Sequence, residues 1–328
     1  MSVTIYDVAK HANVSMATVS RVVNGNPNVK PATRDKVNRA IEELNYRPNA
    51  VARGLASKKS TTIGVVIPDI SNIYYGQLTS GMEDIANMYN YQTLFATSDF
   101  NKDKEIAIME SFISKQVDGI IFLGGMIFDE TKALIKSSNI PVVVAGTLPD
   151  NDDIPTVNID YFDASYHVVK ELIHRGHRSF SLIMGDREVK SNQLMIEGIQ
   201  KALKDNALND INLIIDQSFG YDVAYTKVHQ VNIEETDIVL TQTDEQAVAA
   251  LQYFTDHDIK VPDDIQILSF IDSKLLHMVR PDISAVEQPL YDIGAVGMRL
   301  LTKFMLNETV DEKHVKLPYT IQYRKPTK

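Results

Sequence analysis

The sequence predicts an α/β protein with a small all-helical domain at its N-terminus and a larger body of two lobes. Residues 5–44 carry apolar side chains at helical spacing, first in two short helices and then in a third. After Ser60, short β-branched strands alternate with helices, which is typical of a parallel sheet covered on both faces. That alternation restarts after residues 156–160, which predicts a second doubly wound lobe.

The segment IYDVAKHANVSMATVSRVVNG (5–25) predicts two short helices joined by a tight turn. Thr4 can cap the first helix, with Asp7 in the capping-box position, and Ser15 can cap the second. The front of the second helix would present groups that suit base edges in a major groove, namely Ser15, Met16, Ala17, Thr18 and Arg21. An ordinary helical hairpin with a solvated polar face is the alternative that this segment alone leaves open.

A third helix is predicted to complete this domain. Pro31 suits the first helical position, and an apolar stripe at i, i+3, i+4 and i+7 follows at Val37, Ala40, Ile41 and Leu44. Three small helices with one shared apolar side form a domain of helix-turn-helix type.

The next segment, RPNAVARGLASKKS (47–60), predicts a short helix that orders only against a partner, because isolated helices of this length are marginal. Arg53, Lys58 and Lys59 make a nucleic acid a natural partner. Leu55 is an apolar residue on a basic segment, as in a minor-groove wedge. In the alternative, the segment is a flexible linker and Leu55 is a packing residue.

The charge distribution favours DNA binding at the N-terminus only. The whole chain carries a net charge of −10, yet residues 1–60 hold ten Lys and Arg against four Asp and Glu. A basic domain on an acidic body confines the attraction for DNA to that domain. The chain has no Cys, no apolar run that could span a bilayer and no leader before Thr4, which predicts a cytoplasmic protein without disulfides.

The body is predicted from two runs of elements. The first contains strands TIGVVIPD (62–69), VDGIIFLGG (117–125) and IPVVVAG (140–146), separated by helices. The second begins with a helix at 162–174 and continues through strands FSLIMG, INLIID, DIVLTQ and IQILSF, with a helix from Asp244 to about Phe254. A helix over 291–306 and one final strand, VKLPYTIQYR, close the chain.

The first sixty residues resemble the LacI/GalR family of bacterial repressors in TIYDVAKHANVSMATVSRVVNG and YRPNAVARGLASKKS, and the resemblance extends over the whole chain, including VDGIIFLGG and YDIGAVGMRLLTK. It implies a helix-turn-helix domain over 1–46 and a hinge helix and linker over 47–60. It also implies a first lobe over 61–160 with 290–328 and a second lobe over 161–289. The body is similar to periplasmic sugar-binding proteins, with a ligand cleft between the lobes.

The resemblance implies a homodimer that binds a pseudo-palindromic operator in double-stranded DNA and represses or activates carbon-metabolism genes. The second helix would read the major groove, and Leu55 of the hinge helix would enter the minor groove. The positions that match DNA contacts of the family are Thr4, Tyr6, Ser15, Met16, Ala17, Thr18, Arg21, Asn28, Asn49, Ala52, Arg53 and Leu55.

The cleft departs from the family pattern at two positions. Relatives that respond to sugars or purines carry an arginine where this chain has Met195, and an aspartate where it has Ile271. Without a guanidinium the cleft loses its best grip on an anion. Asp160, Asp244 and Asp272 are the candidate cleft residues, and we expect no cofactor beyond a weakly bound sugar-phosphate adjunct effector.

The main signal is expected to be a phosphorylated protein. Asp292, Arg299 and Lys303 share one face of the helix 291–306, and Tyr291 lies at its start. A solvated charge stripe is the ordinary interpretation, but this stretch resembles the surface on which one branch of the family docks serine-phosphorylated HPr. Asp69 and Asp84 match positions on that same surface.

The sequence carries no enzyme signature, because dinucleotide-binding, Walker, HExxH and GxSxG motifs are absent. His174 and His177 could suggest a metal site, but the HRGHRS segment is better interpreted as a surface turn, and no metal is expected. A solute-binding protein and a sugar-processing enzyme remain the alternatives. The first would have no use for residues 1–60, and the second would need paired carboxylates in the cleft.

Overall fold

A computed structural model describes residues 3–47, 60–149, 153–215 and 220–324. The chain divides after Ser60 into two compact units, one formed by residues 1–60 and the other by residues 61–328. Each unit is described by itself.

The N-terminal unit has three described helices, α1 (Ile5–His11), α2 (Met16–Val23) and α3 (Pro31–Glu43). Asn13 adopts a φ of 50° between α1 and α2, a left-handed conformation that asparagine tolerates better than most residues. The helices share a core of Val8, Ala9, Ala12, Val19, Val22, Val37 and Ala40. The predicted stripe on α3 is therefore confirmed, with Ile41 and Leu44 packed at its edge.

The first lobe of the body contains a parallel six-stranded sheet of order β11-β5-β4-β3-β1-β2. Its strands are β1 (Thr62–Ile67), β2 (Gln92–Thr97), β3 (Gly119–Leu123), β4 (Val142–Ala145), β5 (Thr156–Asn158) and β11 (His314–Lys316). The associated helices are α4 (Ile73–Met88), α5 (Lys102–Ser114), α6 (Asp129–Ser138) and α12 (Leu290–Met305). Buried aliphatic side chains fill both sides of the sheet, as predicted for a parallel sheet.

The second lobe repeats this strand order as β12-β10-β9-β8-β6-β7. Its strands are β6 (Phe180–Met184), β7 (Asn212–Ile215), β8 (Ile238–Thr241), β9 (Gln266–Ser269), β10 (Ser284–Glu287) and β12 (Thr320–Gln322). Its helices are α7 (Tyr161–His174), α8 (Lys190–Asp205), α9 (Tyr221–Lys227), α10 (Asp244–Asp256) and α11 (Lys274–Met278), with a 3₁₀ turn at Val228–Gln230. Helices α9 and α10 pack on one face of this sheet, and helices α7 and α8 pack together on the other face.

The prediction of one final strand over VKLPYTIQYR is wrong. The segment divides at Pro318 into β11, which is parallel to β5, and β12, which is antiparallel to β10 of the other sheet. Proline cannot donate to a strand ladder, and the change of sheet occurs around it. Thus β12, which falls within the 290–328 part of the predicted first lobe, belongs to the second sheet.

Helices α4 and α12 cross at glycines. A Cβ atom on Gly81 would lie 1.9 Å from the carbonyl oxygen of Tyr291, and one on Gly294 would lie 1.9 Å from that of Leu78. Glycine at both positions lets the two helix backbones come into direct contact. The crossing fixes the position of α12, which carries most of the predicted co-regulator residues.

Candidate DNA-reading face and effector cleft

Helix α2 begins at a well-formed cap. The Ser15 Oγ accepts the backbone N–H of Thr18 at 3.2 Å and lies 2.9 Å from the Thr18 hydroxyl. Val19 and Val22 point into the core, while Ser15, Met16, Ala17 and Arg21 are exposed. The exposed side of α2 therefore presents these groups to solvent, as base reading in a major groove requires.

Helix α1 adds an exposed aromatic residue, since Tyr6 is 67% accessible. At the helix start, the backbone N–H and hydroxyl of Thr4 donate to the Asp7 carboxylate at 2.8 and 2.7 Å. These bonds lower the pKa of Asp7, the hydroxyl contributing most. The Asp7 carboxylate therefore stabilises the cap of α1, and its negative charge also interacts favourably with the positive N-terminal end of the helix dipole.

In the body, a cavity of about 570 Å³ lies between the two lobes. It is lined by segments that follow β1, β2, β3 and β4 in the first sheet and β6, β8 and β9 in the second. The carboxyl ends of parallel strands meet at one edge of a sheet, and ligands of doubly wound folds bind there. The cavity therefore has the position of a ligand site.

Asp244 and Glu245, at the start of α10, and Asp69, after β1, are three of the carboxylates in the lining. Asp244 is 1% exposed, and its Oδ1 accepts the backbone N–H of Glu245 at 2.9 Å. Glu245 Oε1 accepts the Asn72 amide at 3.1 Å, which links α10 of the second lobe to the start of α4 in the first. Burial raises the pKa of Asp244 and of Glu245, and the charges of Asp244 and Asp69 raise the pKa of Glu245 further.

An aromatic wall completes the cavity on the first-lobe side. Tyr74 and Tyr161 both donate to the carbonyl oxygen of Gly146, at 3.0 and 3.1 Å. Tyr75 packs edge-on against Tyr74, and its ring covers Gly124, where a Cβ would lie 2.5 Å from the ring. Sequence reasoning missed this wall, although its signals were the YYG run at the start of α4 and the glycines that follow β3 and β4.

The surface of α12 carries the predicted co-regulator residues. Tyr291 and Asp292 are exposed at its start, Arg299 is exposed two turns later, and Lys303 is half-buried. The Tyr291 hydroxyl donates to Asp84 Oδ2 on α4 at 2.7 Å. Within the described residues, α12 and α4 therefore bring together five of the six residues predicted for co-regulator binding.

Comparison with known proteins decides the family. Residues 4–49 match the model of the bacterial regulatory proteins of the lacI family, and residues 169–327 match that of a periplasmic binding protein-like domain. Catabolite control protein A of Staphylococcus epidermidis is 52% identical over 328 residues, and that of Staphylococcus xylosus is 51% identical over 329 residues, each covering all of both chains. This chain belongs to the lacI family, in the group of the catabolite control proteins A.

Solved structures agree with the assignment. The transcription regulator CcpA of Lactococcus lactis is 35% identical, has a TM-score of 0.77 and covers 81% of this chain and 99% of its own. The lac repressor dimer bound to operator and the anti-inducer ONPF has a TM-score of 0.87 at 25% identity and covers 100% and 99% of the two chains. The predicted family and fold are confirmed, this lacI-family chain is a DNA-binding transcription regulator, and the enzyme alternative is wrong.

The structure places only part of the predicted cleft set in the cavity of this regulator. Asp244 lines it, as do Met195 and Ile271 at the positions that depart from the family pattern. Asp160 is not in the lining, because it caps α7 and pairs with Lys316 at 2.7 Å.

Asp272 is likewise absent from the lining. Its Oδ2 forms a 2.5 Å ion pair with Arg324, and both side chains are largely buried. His277 lies 3.5 Å from the other oxygen of the same carboxylate. Asp272 is therefore part of a structural pair at the end of the chain.

Asp69, predicted for co-regulator binding, is half-buried and follows β1. It lies in the cavity lining, where its Oδ1 accepts the N–H and the hydroxyl of Ser71 at 2.8 and 2.7 Å.

The other predicted DNA contacts that the structure describes lie in the N-terminal unit: Thr18 is half-buried, and Thr4, Tyr6 and Asn28 are exposed. Of the predicted DNA contacts, Asn49, Ala52, Arg53 and Leu55 lie outside the described residues.

The two histidines of the HRGHRS segment occupy different environments. His174 ends α7 and is exposed, whereas His177 is 7% exposed and its pKa is lowered by burial. The described residues contain no cluster of His, Asp and Glu with the arrangement of a metal site. Among the same residues, no helix combines the length and the apolar character needed to cross a membrane.

Proposed function

We propose that this regulator of carbon catabolite control binds pseudo-palindromic operator DNA as a homodimer and is activated by a serine-phosphorylated HPr or an HPr-like protein. The observation that carries the DNA part is the exposed, capped front of α2, with Ser15, Met16, Ala17 and Arg21 on one side. Operator DNA lies in the bacterial cytoplasm, and we propose the same location for this chain.

One domain of this size makes few base contacts, so two domains related by a two-fold axis are needed for useful affinity. Each would dock α2 in a major groove of one half-site. The basic residues of the N-terminal unit would contact phosphates and release counterions. We therefore expect log affinity for an operator fragment to fall linearly with log salt concentration in a band-shift assay.

Arg21 provides the test of base reading. Arg21→Ala should relax the preference for one base pair in each half-site by about 1–3 kcal/mol. Arg39→Ala is the matched control, since it removes the same charge from the exposed side of α3. Both variants are compared on a set of operator fragments with single base changes. Equal loss of affinity on every fragment for Arg21→Ala, as for Arg39→Ala, would contradict base reading by α2.

The support for the co-regulator part is the surface formed by α4 and α12. Arg299 is exposed on α12, and Lys303 lies one turn further on, so that a phosphate could accept from both. Asp84, Tyr291 and Asp292 form a polar rim on the same surface. A partner docked there would contact the first lobe, bias the body toward one arrangement of its lobes and so change its affinity for DNA.

Titration calorimetry with serine-phosphorylated and unphosphorylated HPr tests this part. We expect the phosphorylated form to bind more tightly and Arg299→Ala to remove that difference. Arg187→Ala is the matched control, because Arg187 is 64% exposed and follows β6 of the second lobe. If both forms of HPr bound equally to the unchanged protein, the phosphate would not be the signal.

A further inference from the structure

The C-terminal end of helix α2 is a Schellman motif. The backbone N–H of Gly25 donates to the Val22 carbonyl at 3.0 Å, and that of Asn26 donates to the Arg21 carbonyl at 2.9 Å. Gly25 supplies the left-handed residue that this motif needs, with a φ of 69°. The last turn of α2, which includes Arg21, therefore ends in a geometry that depends on the position of Asn26.

Asn26 is held in turn by helix α3. Arg34 Nη2 donates to the Asn26 carbonyl oxygen at 2.8 Å, and both residues are half-buried. Arg34 is the fourth residue of α3, and side chains on a helix lean toward its N-terminus, so this guanidinium reaches back to the loop 24–30. Its positive charge also interacts favourably with the negative C-terminal end of the α2 dipole. Arg34 thus joins α3 to the end of α2.

The loop beyond α2 is fixed through the same asparagine. Asn26 Oδ1 accepts the backbone N–H of Asn28 at 2.9 Å, which forms an Asx turn. Asn28 is exposed and is one of the predicted DNA contacts. Through Asn26, Arg34 is therefore connected to two predicted DNA contacts, Arg21 before the loop and Asn28 within it.

We propose that Arg34 is a positioning residue for DNA recognition, which fixes the placement of Arg21 and Asn28 without contacting a base itself. The inference rests on the proposed reading of operator DNA by α2. Hydrogen bonds to base edges weaken steeply when donor and acceptor are displaced, whereas attraction to phosphates is independent of sequence. Loss of Arg34 should therefore reduce the preference for the operator more than it reduces affinity for DNA in general.

A direct phosphate contact is the other role that the Arg34 guanidinium could have at a DNA surface. Such a contact would contribute on any sequence, and its loss would reduce the slope of log affinity against log salt by about one. A positioning residue instead changes the preference for the operator and leaves the salt slope unchanged. The two roles therefore predict different measurements.

Band-shift titrations of the full-length protein test the proposal. Each variant is titrated with an operator fragment and with a scrambled duplex of the same length, at several salt concentrations. We expect Arg34→Ala to lower the ratio of operator affinity to scrambled affinity about tenfold, because a hydrogen bond from a charged donor is lost. Partial unfolding would lower both affinities by the same factor, so the ratio separates positioning from stability.

Two further variants complete the design. Arg39→Ala is the matched control, because it removes the same charge from α3, and the 3.4 Å hydrogen bond of Arg39 goes to Asp35 of its own helix. It should leave the affinity ratio unchanged. Asn26→Ala removes the bond to the Asn28 N–H but keeps the carbonyl oxygen that Arg34 holds, so it should lower the ratio by a smaller factor than Arg34→Ala.

Equal loss of affinity on both fragments in Arg34→Ala, or a salt slope reduced by about one, would overturn the positioning role. A ratio that falls as far in Arg39→Ala would overturn it as well. If the unchanged protein showed no preference for the operator, base reading by α2 would fail and this inference with it. A preference that persists undiminished in both Arg34→Ala and Asn26→Ala would refute only the role of Arg34.

Discussion

The crossing of α4 and α12 gives a sharp prediction for glycine substitutions. Gly→Ala inside a helix normally stabilises a protein by about 0.5–1 kcal/mol, because alanine loses less backbone entropy on folding. Gly76 on α4 has nothing within 4 Å of the position of a Cβ atom, so Gly76→Ala should show this gain. Gly294→Ala should not, because its Cβ would lie 1.9 Å from the Leu78 carbonyl oxygen and 2.8 Å from the carbonyl carbon.

The expected size follows from what has to move. Overpacking a core position usually costs about 1–3 kcal/mol. Here the obstacle is backbone on a neighbouring helix, which cannot rotate away, so the cost should lie at the upper end of that range. After the helix gain of about 0.5–1 kcal/mol is subtracted from a cost of about 3 kcal/mol, we expect Gly294→Ala to lower the free energy of unfolding by about 2–2.5 kcal/mol. Gly81→Ala meets the Tyr291 carbonyl oxygen at the same distance and should behave alike.

Urea unfolding followed by tyrosine fluorescence provides the assay. The chain has no Trp, and of its 14 tyrosines only Tyr6 and Tyr46 lie outside the body. The signal therefore reports mainly on the body. The midpoint should rise for Gly76→Ala and fall for Gly294→Ala at an unchanged slope. A midpoint for Gly294→Ala at or above that of Gly76→Ala would refute the close approach of the two backbones.

Three further predictions concern caps and buried charges. Ser15→Ala should lower the stability of the N-terminal unit by about 1 kcal/mol, because the Thr18 N–H loses its acceptor, and the loss is measurable by thermal melting. Asp272→Ala should destabilise the body by about 3–5 kcal/mol in urea unfolding, since it leaves Arg324 buried without its ion-pair partner. Burial raises the pKa of Asp244 in the folded state, so the stability that this carboxyl contributes at low pH is lost as pH rises through that pKa. The urea midpoint should therefore decline less with rising pH in Asp244→Asn than in the unchanged protein.

The parts of the molecule that could be predicted from sequence depend on local patterns. The apolar spacing of Val37 and Ala40 and the caps at Thr4 and Ser15 are set by residues three or four positions apart. The exposed front of α2 follows from the same periodicity. Strand and helix alternation likewise gave the two lobes, because each strand is a short continuous apolar run.

The parts that could not be predicted depend on contacts between distant segments. Asp244 was found in advance, but Glu245, Gln288 and Tyr75 join it only because the strand order brings several carboxyl ends to one edge. Asp272 was misplaced because its partner, Arg324, lies 52 residues away, just after β12, where the chain has passed from the first sheet to the second. Spacing along the chain carries no signal for either arrangement.

The placement of charge separates two kinds of ligand chemistry on one body. A phosphate needs cations, and the candidate surface with an exposed guanidinium is α12, which carries Arg299. The cavity instead is lined by carboxylates, and none of its described lining residues is Lys or Arg. Both regions use the first lobe, since α12 packs on α4, and Asn72, the N-cap of α4, lies in the cavity lining. A ligand in the cavity and a partner on α12 would therefore act on the same lobe arrangement without competing for one site, and any coupling between them would have to be reciprocal.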